Sequence, residues 1–300
     1  MSSVLRGRIM LLLSAAGWSL LPPASKSALG SGFAPLDLLA VQLATATAVL
    51  GVVVWRRGAR PVPPIRHTLM RALLEPIGNV GLFLLGLAHL TAAYGSLLLT
   101  CEGLLTAVLA VVVLHERLAP RAWAGLLAGV PGLWLLLGTP TSLSVSTGSM
   151  LVLAGVACSA AYATMTARAM RQAVDVITTT AVQVALALAI SAPLALALKA
   201  LHPARDVPAP AAWIVAIASG LLLAGPTLLY NSALACVSVG ESAVIYQLIP
   251  VFGAGLGVLL LGETVNAVQI LGAVLTLTGV LAVVLGQPSV GTTAPHTARR

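Results

Sequence analysis

The amino-acid sequence predicts an all-α integral membrane protein of ten transmembrane helices, arranged as two inverted five-helix repeats. Three observations carry that prediction. Of 300 residues, 59% are hydrophobic and only 8% are charged, about a third of the charge that coats a soluble domain. The charges sit in short clusters between apolar stretches, each long enough to cross roughly 30 Å of hydrocarbon. Finally, a single shift, the one that carries Glu116 onto Glu263, lays the third to fifth apolar stretches over the eighth to tenth without a gap. Helices are required because a lipid-exposed backbone must satisfy its own N–H and C=O groups, and the runs lack the polar/apolar alternation of a barrel.

The first span, about 9–29, follows Arg6 and Arg8 and contains Pro22, Pro23 and Lys26. Those three residues would stand awkwardly at a leader cleavage site, so the segment reads as an uncleaved helix with Lys26 snorkelling outward. The second, about 35–55, ends on Arg56 and Arg57, and the third, about 70–90, carries Glu75, Pro76 and Asn79. Glu75 lies four residues after Arg71, which reads as an ion pair near the cytoplasmic surface. The fourth span, about 93–114, contains Glu102, and the fifth, about 120–138, follows Glu116, Arg117 and Arg121. The sixth, about 149–168, holds Cys158 and Tyr162, and the seventh, about 175–199, ends on Lys199. The eighth, about 210–231, carries Pro226, Tyr230 and Asn231; the ninth, about 238–261, carries Glu241, Tyr246, Gln247 and Pro250; the tenth is about 267–286. Residues 1–140 and 141–286 form the two repeats, and 287–300 is expected to be a disordered cytoplasmic tail.

Orientation follows from Lys and Arg. With the N-terminus cytoplasmic, the inside holds Arg6, Arg8, Arg56, Arg57, Arg60, Arg66, Arg71, Arg117, Arg121, Arg168, Arg171, Arg299 and Arg300, and the outside only Lys26, Lys199 and Arg205. Ten spans then place both termini in the cytoplasm of a multi-pass plasma (inner) membrane protein. The net charge of +8 is topology facing anionic lipid, and no basic, aromatic-interleaved module exists to bind nucleic acid. Cys101, Cys158 and Cys236 form no CxxC or Cys/His cluster, so neither a disulfide framework nor a metal site is expected. No cofactor is expected either.

The repeat is most legible in Glu116, Gly125 and Gly132 against Glu263, Gly272 and Gly279. Five helices is an odd number, so the two copies cross the membrane in opposite senses. That is the inverted-repeat design of secondary transporters, whose substrate site lies near the midplane between the halves.

At these residues the chain resembles the drug/metabolite transporter superfamily, specifically its EamA-type ten-helix members, over about residues 8–286. The resemblance is carried by Gly17-Trp18 followed by Lys26, by Leu114-His115-Glu116-Arg117-Leu118 with its partner Leu261-Gly262-Glu263-Thr264, and by Ile249-Pro250-Val251-Phe252. The chain departs from the family pattern at His115 (usually Gly), Gln42 (often Arg) and Gly103 (usually Pro). The resemblance implies secondary transport of a small metabolite, with export of an amino acid or related compound favoured, and a central cavity lined by helices 1, 3, 4, 6, 8 and 9.

Glu102 is the sharpest candidate, because an ionised side chain at membrane depth costs about 2.5–3.5 kcal/mol and should face a cavity, a partner or a proton. Proton coupling through Glu102 is the corresponding expectation. The remaining candidate lining is Trp18, Asn79, Tyr162, Tyr230, Asn231, Tyr246 and Gln247, with Pro250 and Glu241 as gating candidates and Tyr94 and His89 nearer the span ends. Glu116 and Glu263 each precede a helix, where a carboxylate suits the positive end of the dipole, so both are read as structural. With no nucleotide-binding motif, energy must come from a gradient or exchange. Two competing functions are a lipid or lipid-linked headgroup flippase and an intramembrane enzyme, the latter lacking a paired-carboxylate or metal-clustered site. The expected partners are a small-molecule substrate and membrane lipids, with monomer and homodimer both open.

Overall fold

Among the described residues the apolar stretches form helices, and no strand occurs. The computed structural model describes residues 3–58, 60, 62, 64–103, 146–170, 175–201, 208–233, 236–237 and 245–286, together with isolated positions between 104 and 145. Glu116, Glu241, most of the fifth span and the tail from 287 lie outside the described residues. The helices are α1 (Ser3–Gly30), α2 (Pro35–Arg57), α3 (Ile65–Leu87), α4 (Ala92–Leu98), α5 (Thr147–Met170), α6 (Val176–Leu201), α7 (Pro210–Ala233), α8 (Leu248–Leu261) and α9 (Ala267–Gly286). Five of them, α1, α2, α3, α6 and α7, are long and apolar enough to cross a membrane; about 20 residues at 1.5 Å each cover the hydrocarbon core.

Local chemistry sets the helix ends. Pro35 occupies the first turn of α2, where its missing N–H costs nothing. The Thr91 hydroxyl accepts from the Tyr94 amide at 3.1 Å to cap α4. Asp175 caps α6 by accepting from the Thr178 amide at 2.8 Å and its hydroxyl at 2.6 Å. Some burial raises the Asp175 carboxyl, but those two Thr178 bonds and the charges of Arg57 and Arg60 outweigh it, so it lies below the usual carboxylate range. Beyond α8, Gly262 adopts the left-handed φ of 65° that closes the helix.

The main packing pattern recurs when the two copies are exchanged. With the repeat register, α1, α2 and α3 correspond to α5, α6 and α7, while α4 and α8 lie in the corresponding fourth and ninth spans. Helix α1 packs on α7 and α8, as α5 packs on α3 and α4; α2 packs on α7, as α6 packs on α3; and α2 meets α6 as α4 meets α8. This is the contact pattern of two halves related by a pseudo-twofold axis.

Contacts between links show that the halves are inverted. On one face, Gly7 lies against Cys236 and Val237, and Arg60 reaches Thr178 through its amide and Asp175 through its guanidinium at 3.9 Å. On the other, the Ala209 amide donates to Ser31 O at 3.3 Å, Gly148 lies against His89 and Leu90, and Glu263 reaches Ala92 and Ala93. Helix α1 starts at the first face, whereas its counterpart α5 starts at the second.

Polarity is arranged inside out. Leu13, Trp55, Leu196, Ile214 and Leu259 are more than half exposed, whereas Gln42, Gln183 and Asn231 are buried, as expected where lipid is the solvent. Buried amides find partners across helices: Gln42 Nε2 donates to Ser25 Oγ at 3.1 Å and Ser219 Oγ at 2.9 Å, joining α1, α2 and α7. The repeat glycine Gly132 is a close crossing, where a Cβ would stand 2.5 Å from the Thr276 amide nitrogen and 2.7 Å from Gly272 O. Small residues at such positions let helix backbones touch.

Candidate functional site

Between the halves lies a cavity with about 90 Å³ open to the centre of a water-sized sphere, room for several waters or a small solute. Its walls come from Trp18, Leu21 and Pro22 on α1; Glu75, Asn79, Val80 and Phe83 on α3; and Leu99 and Glu102 in the fourth span. Ser159, Tyr162 and Ala163 on α5, Thr227 and Tyr230 on α7, and Tyr246, Ile249 and Pro250 in the ninth span complete it. Within each segment the lining residues recur at three or four positions, so each helix presents one stripe. These are the six spans that the family resemblance implied.

The helices facing the cavity are interrupted. Helix α3 is broken at Glu75, whose φ of −142° and ψ of 117° are extended, within the widened turns Leu73–Gly81. Gln183 Nε2 satisfies the Glu75 carbonyl at 2.6 Å. The fourth span turns at Leu99 and Thr100 just before Glu102, and the ninth turns at Gln247 just before Ile249 and Pro250. Thr100 and Gln247 occupy the same repeat register, so both copies open their helices beside the cavity. Discontinuous helices at the repeat interface are the usual means by which transporters offer polar groups at mid-membrane.

Two carboxyl groups face this space. Ser159 Oγ donates to Glu102 Oε1 at 2.9 Å, and Asn79 Nδ2 donates to Glu75 Oε2 at 2.6 Å. Glu75 was expected to pair with Arg71 at the membrane surface, and the structure corrects this. Arg71 and Glu75 are 2% and 5% exposed. None of the Arg71 guanidinium nitrogens has a hydrogen-bond partner among the described residues, and its Cζ lies 5.7 Å from the centroid of the Tyr162 ring. The break at Glu75 turns its side chain to the cavity, out of the four-residue register that an unbroken helix would impose.

Of the candidate lining, Trp18, Asn79, Glu102, Tyr162, Tyr230, Tyr246 and Pro250 come together on the cavity. Asn231 and Gln247 do not line it. Asn231 is buried behind Tyr162, accepting from its hydroxyl at 3.3 Å and donating to Thr180 Oγ1 at 3.0 Å. Gln247 forms the turn of the ninth span. His89 is exposed in its link, and Tyr94 instead shares a 3.3 Å hydrogen bond with Ser149. Lys26 Nζ reaches the end of α3, donating to Leu87 O at 2.9 Å beside the second face. Glu263 does not serve the helix that follows it. It accepts from the amides of Ala92 and Ala93 at 2.8 and 2.7 Å, capping α4 in the other copy. Sequence reasoning missed Glu75, Phe83, Ser159 and Thr227 as lining. The available signal was spacing, since Glu75 and Phe83 flank Asn79 at four residues and Ser159 and Thr227 each precede a tyrosine by three.

An all-helical chain of inverted copies, with a cavity between broken helices that carries two carboxyl groups, defines a membrane transporter of the repeat-built kind. Residues 5–138 and 146–285 each match the model of the EamA-like transporter family, and the chain belongs to that family. A Bacillus subtilis (strain 168) protein described as the uncharacterized transporter YyaM is 23% identical over 260 residues, 83% of this chain and 84% of that one. One solved crystal structure superposes with a TM-score of 0.65 at 20% identity, covering 94% of this chain and 96% of its own, and speaks for the fold.

Proposed function

We propose that the chain is a secondary active transporter that exports a small metabolite, an amino acid or related compound, across the plasma membrane by alternating access, with proton coupling through Glu102. The observation that carries the reading is the cavity itself: carboxyl and aromatic groups gathered at the interface of two inverted halves, beside breaks in α3 and in the fourth and ninth spans. Glu102 supports the coupling step because a carboxyl group at that depth is costly when ionised without a partner. Ser159 holds one of its oxygens, leaving the group able to exchange a proton for solute. The basic links support cytoplasmic termini, since Arg6, Arg8, Arg56, Arg57 and Arg60 belong to one face. Both halves of the path lie in one chain, so a monomer suffices.

The test is a counterflow screen of labelled metabolites in proteoliposomes, with Glu102→Gln measured alongside under an imposed pH gradient. A solute should exchange in wild-type vesicles, and gradient-driven accumulation should be lost in the variant while counterflow persists. Unchanged gradient-driven flux in Glu102→Gln would refute proton coupling through that residue, and no exchange across the panel would refute the transporter reading.

A further inference from the structure

We propose that the cavity recognises the ammonium group of an organic amine, with Glu75 and Glu102 holding the charge and an aromatic wall holding the apolar body. This rests on the transport reading above and narrows its solute, among amino acids and related compounds, to the free amine.

The two copies contribute unequally. Under the repeat register Val80 pairs with Thr227, Phe83 with Tyr230, Leu99 with Tyr246 and Glu102 with Ile249, and all eight residues line the cavity. Both carboxyl groups come from the first copy, whereas Tyr162, Tyr230 and Tyr246 come from the second. The acidic groups are therefore confined to one copy, whereas aromatic rings come from both, Trp18 and Phe83 from the first.

The acidic groups lack a donor. One oxygen of each carboxyl group is engaged, by Asn79 and by Ser159, but Glu75 Oε1 is buried without a hydrogen-bond partner among the described residues. A buried acceptor left without a donor is unfavourable, and a charged N–H donor is the group that satisfies it best. Among the described lining residues none is basic. Arg71 rests on the Tyr162 ring and is not part of the lining. In the described lining an anionic solute would thus meet two carboxyl groups and no basic side chain, the Arg71 guanidinium lying behind Tyr162.

The aromatic groups suit a cation as well. The chain has only 5 Trp, 4 Tyr and 3 Phe, yet Trp18, Phe83, Tyr162, Tyr230 and Tyr246 converge here. Tyr230 and Tyr246 form a tilted pair with centroids 4.7 Å apart, and Ser14 Oγ shares a 2.6 Å hydrogen bond with the Tyr246 hydroxyl. Such rings attract an ammonium through their faces and pack the carbon skeleton attached to it. Since the described lining offers a carboxylate no basic partner, the free amine is preferred over the amino acid that shares its side chain.

Three matched probes test this on the full-length protein: phenethylamine, phenylalanine and 3-phenylpropionate, which share a ring and differ in charge. Ligand-induced thermal stabilisation in detergent and counterflow in proteoliposomes are read for each. Phenethylamine should stabilise and exchange, phenylalanine should bind at least about tenfold more weakly, and 3-phenylpropionate should do neither. Glu75→Gln and Glu102→Gln should each weaken phenethylamine binding by about tenfold or more, the loss expected when one partner of a desolvated charge pair is neutralised. Equal or tighter binding of phenylalanine or 3-phenylpropionate overturns the proposal, as does wild-type amine affinity in both variants. If a variant fails to fold, the wild-type series decides alone. Exchange of other solutes without preference for the amine sinks this inference and leaves the transporter reading standing; absence of all exchange sinks both.

Discussion

Replacing Glu263 by Ala removes the cap of a helix that lies far from it in sequence, and the geometry sets the size of the effect. Helix α4 begins with amides that have no partner inside the helix. Those of Ala92 and Ala93 donate to the two oxygens of Glu263, that of Tyr94 donates to Thr91, and that of Gly95 makes the first backbone bond, to Thr91 O. Hydrogen bonds to a charged acceptor contribute about 1.5–3 kcal/mol each. Water at the membrane face replaces part of this, so the low end applies and two bonds amount to about 3 kcal/mol. With roughly 2 °C lost per kcal/mol in the larger domains, Glu263→Ala should lower Tm by about 6 °C. Glu263→Gln keeps one carbonyl acceptor and should fall between the two. The assay is thermal unfolding of the full chain in lipid nanodiscs, followed by retention of monodisperse protein. An unchanged Tm for Glu263→Ala, or a lower Tm for Glu263→Gln than for Glu263→Ala, would refute the cap.

The other expectations rest on separate contacts. Gly86→Leu should abolish recovery of monodisperse protein, because even a Cβ at Gly86 would stand 2.6 Å from Gly148 O and 2.7 Å from Val152 Cγ2; size-exclusion chromatography checks it. Gln42→Leu removes two interhelical hydrogen bonds worth about 0.6 kcal/mol each in a membrane, so Tm should drop by only about 2 °C in the same unfolding assay. Asp175→Ala removes the α6 cap and should cost about 1 kcal/mol at neutral pH. The Asp175 carboxyl is depressed in the folded protein, so its contribution is present above the ordinary carboxylate range and lost as pH falls through the folded value. The Tm gap between wild type and Asp175→Ala should hold from pH 7 to about pH 4 and close below it.

The parts of the fold legible in the sequence are those that hydrocarbon enforces. Spans were readable because every residue of a lipid-facing helix feels the same solvent, and the repeat was readable because Glu and Gly at a membrane face or a helix crossing tolerate few substitutes. Gly132 meets Gly272 and Thr276 backbone to backbone, so its position in the repeat had a packing reason that spacing alone could detect. What the sequence concealed lies where a long-range contact overrides a local rule. Glu75 and Arg71 sit at the spacing of a surface ion pair, but the extended backbone at Glu75 breaks the register that would join them. Glu263 precedes a helix, as a cap should, yet the amides it serves belong to α4. Asn231 and Gln247 are polar residues within spans, and nothing local separates a lining amide from one spent on a neighbouring side chain or a turn. Lys26 finds an acceptor, Leu87 O at the C-terminal end of α3, that only tertiary structure reveals.

The unequal division of the cavity follows from its place on the pseudo-twofold axis. A site on that axis receives the same register positions from both copies, so identical copies would present two of every group. Two glutamates at the 102 register would then face each other in a medium where like charges interact strongly. Placing Ile249 opposite Glu102, and Leu99 opposite Tyr246, removes the duplication while keeping the helix breaks that both copies need. The two copies thus share the helix turns at Thr100 and Gln247 and differ in the side chains they present to the cavity, so the backbone keeps the pseudo-twofold relation while the lining abandons it.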